Sequence, residues 1–315
     1  RKIKVFLSAL SIYRNILDKP VMRSFLELVD SLYNKGKTDL CEYIDLYSSF
    51  VASLMKDTPS MSFTEYIIKE IIFDSNIYSN TAEYCRNGEI DSTLKNNVCT
   101  ELKLLQFISG INSRDIKDCI LDSLPLSGFE ADVINSLPEW NTGIINTGMQ
   151  CGYPVEAKKL MEVFAKAADW AESLIPLADF YYRNGTGIFA RYNAFIWDYS
   201  NGQGFLRGVE HPDPVRLSDL IAYENERSQV IENTVQFLGG FPANNILLYG
   251  DRGTGKSSTV KAVVNEYHNK GLRIVEVPKN RLMDFPKIVN LLRKSRLKFI
   301  VFVDDLAFED NEENY

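Results

Sequence analysis

The sequence predicts an α/β domain built on a parallel sheet at the C-terminal end of the chain, preceded by an all-α N-terminal domain. Apolar residues recur at three- and four-residue spacing over most of residues 1–176, which is the period of amphipathic helices. Two apolar runs of strand length come later, at Ile246–Tyr249 and Lys298–Val303. A glycine-rich turn joins the first run to a helical pattern, and this order is typical of α/β proteins.

Length and composition limit the class of protein. The 315 residues, with 45% hydrophobic and 24% charged residues, suit a soluble protein of two domains. The net charge of −7 does not favour binding to nucleic-acid backbones, so nucleic acid is a less favoured partner. No apolar run approaches the roughly 20 residues that cross a bilayer, so no membrane partner is expected.

The cysteines and the start of the chain bear on location. The five cysteines are widely spaced and form no CxxC pair, and the chain has only two histidines, so a zinc site is not expected. The chain shows no signal-peptide pattern. Both observations predict a cytoplasmic protein with reduced thiols.

The N-terminal domain, residues 1–176, is predicted to be all-helical, with five to seven packed helices between Ile3 and about Leu124. Pro20 stands where a helix would start. Ser62, Asp91 and Ser113 are candidate N-caps, because their side chains can accept hydrogen bonds from the first free amides of a helix. Helical segments are expected at Leu40–Met55, Phe63–Ile77, Leu94–Ile108 and Ile116–Leu124, and, after loops and a short helix at 125–154, at Val155–Ile175.

Residues 177–216 are predicted to be a β-containing connector. Ile188–Asp198 is rich in aromatic residues and favours a strand. Asn201–Gly204 indicates a turn, after which Phe205–Val209 could return as a second strand. The core at 217–315 then opens with a predicted helix at Ser218–Leu238, for which Ser218 is the candidate cap.

The strongest signal is the spacing G-x-x-x-x-G-K-S, which predicts a P-loop. Glycines allow successive amides to turn toward a phosphate, and the following helix adds free donors and a positive dipole end. Lys256 would place its charge near the β- and γ-phosphates, and the Ser257 hydroxyl suits Mg²⁺. The residues expected to bind ATP here are Gly250, Gly253, Thr254, Gly255, Lys256, Ser257 and Ser258.

A second motif ends the apolar run Lys298–Val303, which is followed by Asp304 and Asp305. Acidic residues at the carboxyl end of a parallel strand face the crevice where α/β sheets bind ligands. Asp304 is expected to hold Mg²⁺ through water, together with Ser257. Asp305 would polarise the attacking water, which makes Lys256 and Asp305 the candidate catalytic residues of an ATPase.

The segment between the two motifs predicts one further β–α step. Arg273–Val277 favours a strand and Arg281–Lys294 a helix, so the strands would be parallel and joined by right-handed crossovers.

Four segments resemble a bacterial family of AAA+-like P-loop ATPases described only as a domain of unknown function, number 815. The resemblance covers roughly Gly187–Tyr315, and the helical region resembles the N-terminal extension of some members only loosely. The segments that carry it are Ala190–Trp197, Glu232–Leu238, Phe241–Ser258 and Phe299–Leu306.

The resemblance implies an AAA+ core that binds ATP, with Ile221 and Tyr223 near the adenine. Ala222 occupies what is often a glycine in such proteins, and Asp305 stands where they usually carry glutamate. Because aspartate is one methylene shorter, turnover is expected to be slow. The strand between the two motif strands, the sensors, the arginine finger and the helical lid would lie beyond Tyr315. The 315 residues are therefore expected to bind nucleotide weakly or not at all, and to hydrolyse little.

Three functions fit these observations. The leading hypothesis is an ATPase that couples nucleotide binding and hydrolysis to action on a protein client that the sequence does not identify. AAA+ proteins often form rings, which makes a homo-oligomer a candidate assembly, although the 315 residues alone give no argument for a ring. The alternative is a nucleotide-binding scaffold or regulatory module with little or no turnover. A loader of DNA or RNA is a third, based on the basic stretch Arg293–Lys298, which more often forms a solvated helix end.

Overall fold

The computed structural model describes residues 2–33, 39–85, 89–142 and 152–306. The chain divides into two compact units, Arg1–Phe180 and Tyr181–Tyr315. None of the helices in the described ranges is both long enough and apolar enough to cross a membrane. Cys41, Cys85, Cys99 and Cys119 are free thiols, and Cys151 lies outside the described residues.

The first unit is helical, apart from a single bridge between Ser62 and Asn141. Its core contains buried aromatic rings, among them Phe25, Phe50 and Phe63, which pack against one another with centroids about 5 Å apart. Short 3-10 turns precede two of the helices. The helices are α1 (Lys2–Ala9), α2 (Pro20–Tyr33), α3 (Leu40–Asp57), α4 (Phe63–Ile72), α5 (Ile77–Tyr84), α6 (Ser92–Ser109), α7 (Ser113–Leu121), α8 (Gly128–Ser136), α9 (Val155–Lys166) and α10 (Leu174–Asn184), whose residues from Tyr181 onward belong to the second unit.

Two of the three N-caps predicted in the first unit are confirmed. Ser62 accepts from the amide of Glu65 at 3.1 Å, and Asp91 accepts from the amide of Thr93 at 2.8 Å. The prediction for Ser113 is wrong. Asn112 caps α7 by accepting from the amide of Asp115 at 2.9 Å, because its amide oxygen reaches that amide and leaves Ser113 as the first helical residue.

Two predicted helices are interrupted. The segment Phe63–Ile77 ends at Ile72, because Asn76 adopts an extended conformation and caps a new helix, α5. The segment Val155–Ile175 ends at Lys166, and Asp169 then caps a 3-10 turn before α10 begins. Apolar periodicity continued through both interruptions, so it did not reveal them.

The second unit contains one four-stranded sheet, and this confirms the prediction of an α/β fold with a mainly parallel sheet. The strands are β1 (Ala194–Ser200), β2 (Gln203–Gly208), β3 (Leu272–Glu276) and β4 (Lys298–Phe302), in the order β2-β1-β3-β4. Only the β1–β2 pair is antiparallel. The helices are α11 (Gly187–Arg191), α12 (Glu224–Leu238), α13 (Lys256–Tyr267) and α14 (Phe285–Leu292).

The predicted turn between β1 and β2 is confirmed as a two-residue hairpin. Ser200 pairs with Gln203, and the intervening Asn201 and Gly202 have φ of 50° and 79°. These left-handed conformations match the twist of the flanking strands. The strands that the sequence assigned to a connector thus belong to the same sheet as β3 and β4.

Alternating residues of the parallel strands bury two opposite faces of the sheet. Ile274 packs with Val230 of α12 and Val263 of α13 on one face. Val275 packs with Ile288 of α14 on the other. Helices therefore cover both faces, as the crossover connections of parallel strands require.

The predicted strand at Ile246–Tyr249 is not formed. These residues run straight, without a turn or bend, but they pair with no strand in the described part of the chain. Leu248 alone packs into the core, whereas Leu247 and Tyr249 are 74% and 88% exposed. An apolar run favours an extended backbone, but a strand also needs a neighbouring backbone to share its hydrogen bonds, and none of the described strands provides one.

Three element boundaries also differ from prediction. The strand expected from Ile188 starts at Ala194, because Gly187–Arg191 forms α11. The helix expected from Ser218 starts at Glu224, because Ala222 and Tyr223 adopt φ of 62° and 55°, which a right-handed helix cannot contain. The prediction that Ser218 caps this helix is therefore wrong, and Ser218 lies in a separate 3-10 turn. The helix expected at Arg281–Lys294 is a 3-10 turn followed by the shorter α14.

Arg273 is a buried cation that holds several loop ends around β3. Its side chain donates to the carbonyl oxygens of Asn184 at 3.1 Å, Phe189 at 3.0 Å and His268 at 3.0 Å. The residue is only 2% exposed. Carbonyl groups buried without a donor are costly, so this one side chain stabilises three connections of the second unit.

We expect Arg273→Met to reduce the free energy of unfolding of the second unit by about 3 kcal/mol, because three carbonyl groups, one buried and two half-buried, lose a charged donor. Urea denaturation measures this loss. Arg207→Met is the matched control, since Arg207 makes an exposed ion pair with Asp198 in the same sheet. This replacement should reduce the free energy of unfolding by about 0.5 kcal/mol. Equal losses for the two variants would contradict this role of Arg273.

Candidate nucleotide-binding site

A glycine-rich loop, Gly250–Ser257, leads from the straight segment into α13. Gly250, Gly253 and Gly255 have φ of 136°, 84° and 78°, which residues with a Cβ rarely adopt. A Cβ added to Gly253 or Gly255 would meet no atom within 4 Å. The backbone conformation of this loop, and not crowding, therefore explains the glycines.

The loop presents unpaired amides. Those of Gly253, Gly255 and Lys256 donate no hydrogen bond to any other described residue. The first amides of α13 also lack partners within the helix, as at every helix N-terminus. The helix dipole adds a partial positive charge at this end. The loop is thus a cluster of main-chain donors suited to an anion.

Lys256 folds back over the loop from the first position of α13. Its ammonium donates to the carbonyl oxygens of Gly250 at 3.0 Å and Asp251 at 2.7 Å, and to the Thr254 hydroxyl at 3.2 Å. The Thr254 hydroxyl in turn donates to the Asp251 carbonyl at 2.9 Å. These contacts hold the charge of Lys256 at the loop.

Asp304 reaches the same loop from the end of β4. The Ser257 hydroxyl donates to a carboxylate oxygen of Asp304 at 2.8 Å, so the two motifs are in direct contact although 47 residues separate them in the chain. Asp305 lies beside them with φ of 48°, and its amide donates to Asp304 at 3.1 Å. Both aspartates are exposed.

The remaining predicted site residues show no hydrogen bond or ring contact with this loop in the described part of the chain. Ile221 is 93% exposed and Tyr223 is 55% exposed. Ser258 is half-buried in the first turn of α13. Their roles stay predictions.

The sequence did not indicate two side chains that organise the neighbouring α12. Arg227 donates from its side chain to the Leu220 carbonyl at 2.6 Å, and from its amide to the Tyr223 carbonyl at 3.0 Å. Asn233 exchanges two hydrogen bonds of 2.9 Å with the backbone of Asn244, where the straight segment begins. No sequence motif predicts such contacts, because each depends on how the chain before or after α12 folds back against this helix.

Ala222 and Tyr223, which follow Leu220 and Ile221, have a left-handed backbone that is energetically unfavourable. Ala222 and Tyr223 each carry a Cβ, and the left-handed conformation costs such residues about 1–2 kcal/mol. A glycine at position 222 would adopt the φ of 62° without this cost.

The oxygen atoms of Ser257 and Asp304 are the donors that Mg²⁺ prefers. The described residues contain no group of three or more His, Cys, Asp or Glu side chains able to hold a metal. Mg²⁺ bound with phosphates needs only one or two protein oxygens, so the Ser257–Asp304 pair fits this ion.

The basic stretch Arg293–Lys298 is partly engaged within the second unit. Arg296 donates to the Tyr182 carbonyl at 2.5 Å, and its guanidinium carbon lies 3.7 Å from the centroid of the Tyr182 ring. Lys298 lies 5.2 Å from the ring of Phe237. These contacts support a role in packing the turn before β4.

The second unit is therefore an α/β domain with a glycine-rich loop in contact with an acidic strand end. Residues 190–315 match the model of a family described as "Protein of unknown function (DUF815)". The match covers less than half of the chain and includes the whole sheet and both motifs. Neither the curated proteins nor the solved structures give a significant match.

The contact between Ser257 and Asp304 predicts energetic coupling of the two residues. In a double-mutant cycle with Ser257→Ala and Asp304→Ala, we expect a coupling energy of about 1 kcal/mol in urea denaturation, because a charged acceptor strengthens the hydrogen bond. Ser258→Ala is the matched control and should couple with Asp304→Ala by less than about 0.3 kcal/mol. Equal coupling for the two serines would contradict the contact.

Proposed function

We propose that, within the full-length protein, the second unit binds ATP with Mg²⁺ and hydrolyses it, as an ATPase of the AAA+ type. The observation that carries this proposal is the 2.8 Å hydrogen bond between Ser257 and Asp304. It brings a hydroxyl and a carboxylate together beside a loop of unpaired amides. A nucleotide triphosphate with a divalent cation needs these three kinds of group in one place.

The amides of Gly253, Gly255 and Lys256 would bind phosphate oxygens. The Lys256 ammonium would exchange its contacts with two neutral carbonyl oxygens for phosphate oxygens, which are better acceptors because they are charged. Ser257 and Asp304 would hold Mg²⁺, which neutralises the charge that develops on the phosphates. Asp305 would orient the attacking water.

The base would lie at Ile221 and Tyr223. The Asn233–Asn244 contact fixes the start of the straight segment against the later half of α12. Helix α12 starts directly after Tyr223, and its Val230 packs against Val260 and Val263 of α13, the helix that begins in the glycine-rich loop. This packing supports a base site close to that loop.

We also propose that the first unit recognises a protein client. The same proposal includes a cytoplasmic location and assembly of the protein into a homo-oligomer. A separate helical unit of this size provides a surface for such a partner beyond the ATP site.

A second candidate function is a nucleotide-dependent scaffold with little turnover. Asp305 favours it, because the short side chain lies on a left-handed backbone and its own amide is bonded to Asp304. Such an arrangement limits how far the carboxylate reaches toward a water molecule.

We expect Lys256→Ala to weaken ATP binding by the full-length protein on the order of a hundredfold, since a charged hydrogen-bond donor to phosphate is lost. Titration calorimetry with ATP and Mg²⁺ measures the affinity. Lys261→Ala, which removes an exposed lysine of the same helix, should leave it unchanged. The proposed function is wrong if both variants bind ATP as the parent does.

Asp305→Glu separates the two candidate functions. If the short carboxylate limits hydrolysis, the added methylene should raise phosphate release about tenfold while ATP affinity stays within about twofold. A phosphate-release assay on the full-length protein measures this. If phosphate release stayed near zero in both the parent protein and Asp305→Glu while ATP still bound, the result would support the scaffold and contradict the ATPase.

A further inference from the structure

The turn before α12 has an unusual conformation. Ala222 and Tyr223 are consecutive, neither is glycine, and both have left-handed φ. Conformations of this kind persist only where surrounding contacts impose them, and they are common at ligand sites. The turn is exposed from Ile221 to Tyr223, so burial in the core does not impose it.

Arg227 is the residue that holds this turn. Its side chain donates to the carbonyl of Leu220, two residues before Ala222, and its amide makes the first hydrogen bond of α12 with the carbonyl of Tyr223. No other described residue donates to the carbonyl groups of Leu220–Tyr223. Arg227 is also half-buried, unlike its exposed neighbours in the first turn of α12.

We propose that Arg227 is a positioning residue for the nucleobase. By fixing the Leu220–Tyr223 turn, it presents the exposed Ile221 side chain and the Tyr223 ring to the base. The protein then binds a purine nucleoside triphosphate more tightly than a bare triphosphate. This inference rests on the proposed function, because it assigns the base end of the same site.

The chemistry of the turn supports this role. A base stacked on an aromatic ring is commonly bound ten- to a hundredfold more tightly than it would be without the ring. That gain requires a ring held in place beforehand, since a mobile ring must be ordered on binding. Without the Arg227 side chain, the two left-handed residues would relax and the ring would lose its position.

The test compares ATP with inorganic tripolyphosphate, each with Mg²⁺, by titration calorimetry on the full-length protein. For Arg227→Ala we expect ATP affinity to fall about tenfold and tripolyphosphate affinity to stay unchanged. Arg227→Lys keeps one donor and should lose less than Arg227→Ala. Gln229→Ala, an exposed polar residue of the same helix, is the matched control and should change neither affinity.

A second variant separates positioning from direct contact. Adding Ala222→Gly to Arg227→Ala should recover part of the ATP affinity, because glycine adopts the left-handed conformation without the side chain of Arg227. No recovery would overturn the proposal.

The remaining outcomes are also decisive. An equal fall for ATP and tripolyphosphate, or no fall for either, would overturn the role of Arg227 and leave the proposed function in place. If the parent protein bound neither compound, the proposed function itself would fail, and this inference with it.

Discussion

The hydrogen bond between the Ser257 hydroxyl and the Asp304 carboxylate is the contact on which the candidate site depends. It forms because β3 and β4 are parallel, so that the carboxyl end of β4 lies at the edge of the sheet where α13 begins. A shift of one residue in the β4 register would turn Asp304 to the other side of the strand. The packing of α13 and α14 on opposite faces keeps that register.

Several residues with candidate roles in the site have a left-handed backbone. Among the described residues, five that are not glycine have positive φ, and three of these are Ala222, Tyr223 and Asp305. The glycine-rich loop adopts similar angles at little cost because glycine lacks a Cβ. Proteins keep costly conformations mainly where a ligand or a reaction uses them. At Asn201 the hairpin turn explains the conformation, whereas Ala222, Tyr223 and Asp305 do not lie in this turn.

Elements with a strong local signal could be predicted from the sequence. The hairpin at Asn201–Gly202, the strands β3 and β4, and the loop before α13 follow from turn chemistry, apolar runs and glycine spacing. The straight segment Ile246–Tyr249 could not, because strand formation depends on a neighbouring backbone. Arg227 and its carbonyl partners could not either, since propensity scales carry no information on a left-handed pair without glycine. The site roles of the predicted residues stay predictions.

The most direct test of the central claim is an NMR titration of protein labelled with ¹⁵N-glycine, which reports on the chain's 18 glycines. Adding tripolyphosphate with Mg²⁺ should produce the largest amide shifts at Gly253 and Gly255, because their unpaired N–H groups would bind phosphate oxygens. Gly204, which lies against the Trp197 ring in the sheet, should not shift. Unchanged signals for Gly253 and Gly255 at saturating ligand would contradict phosphate binding by this loop.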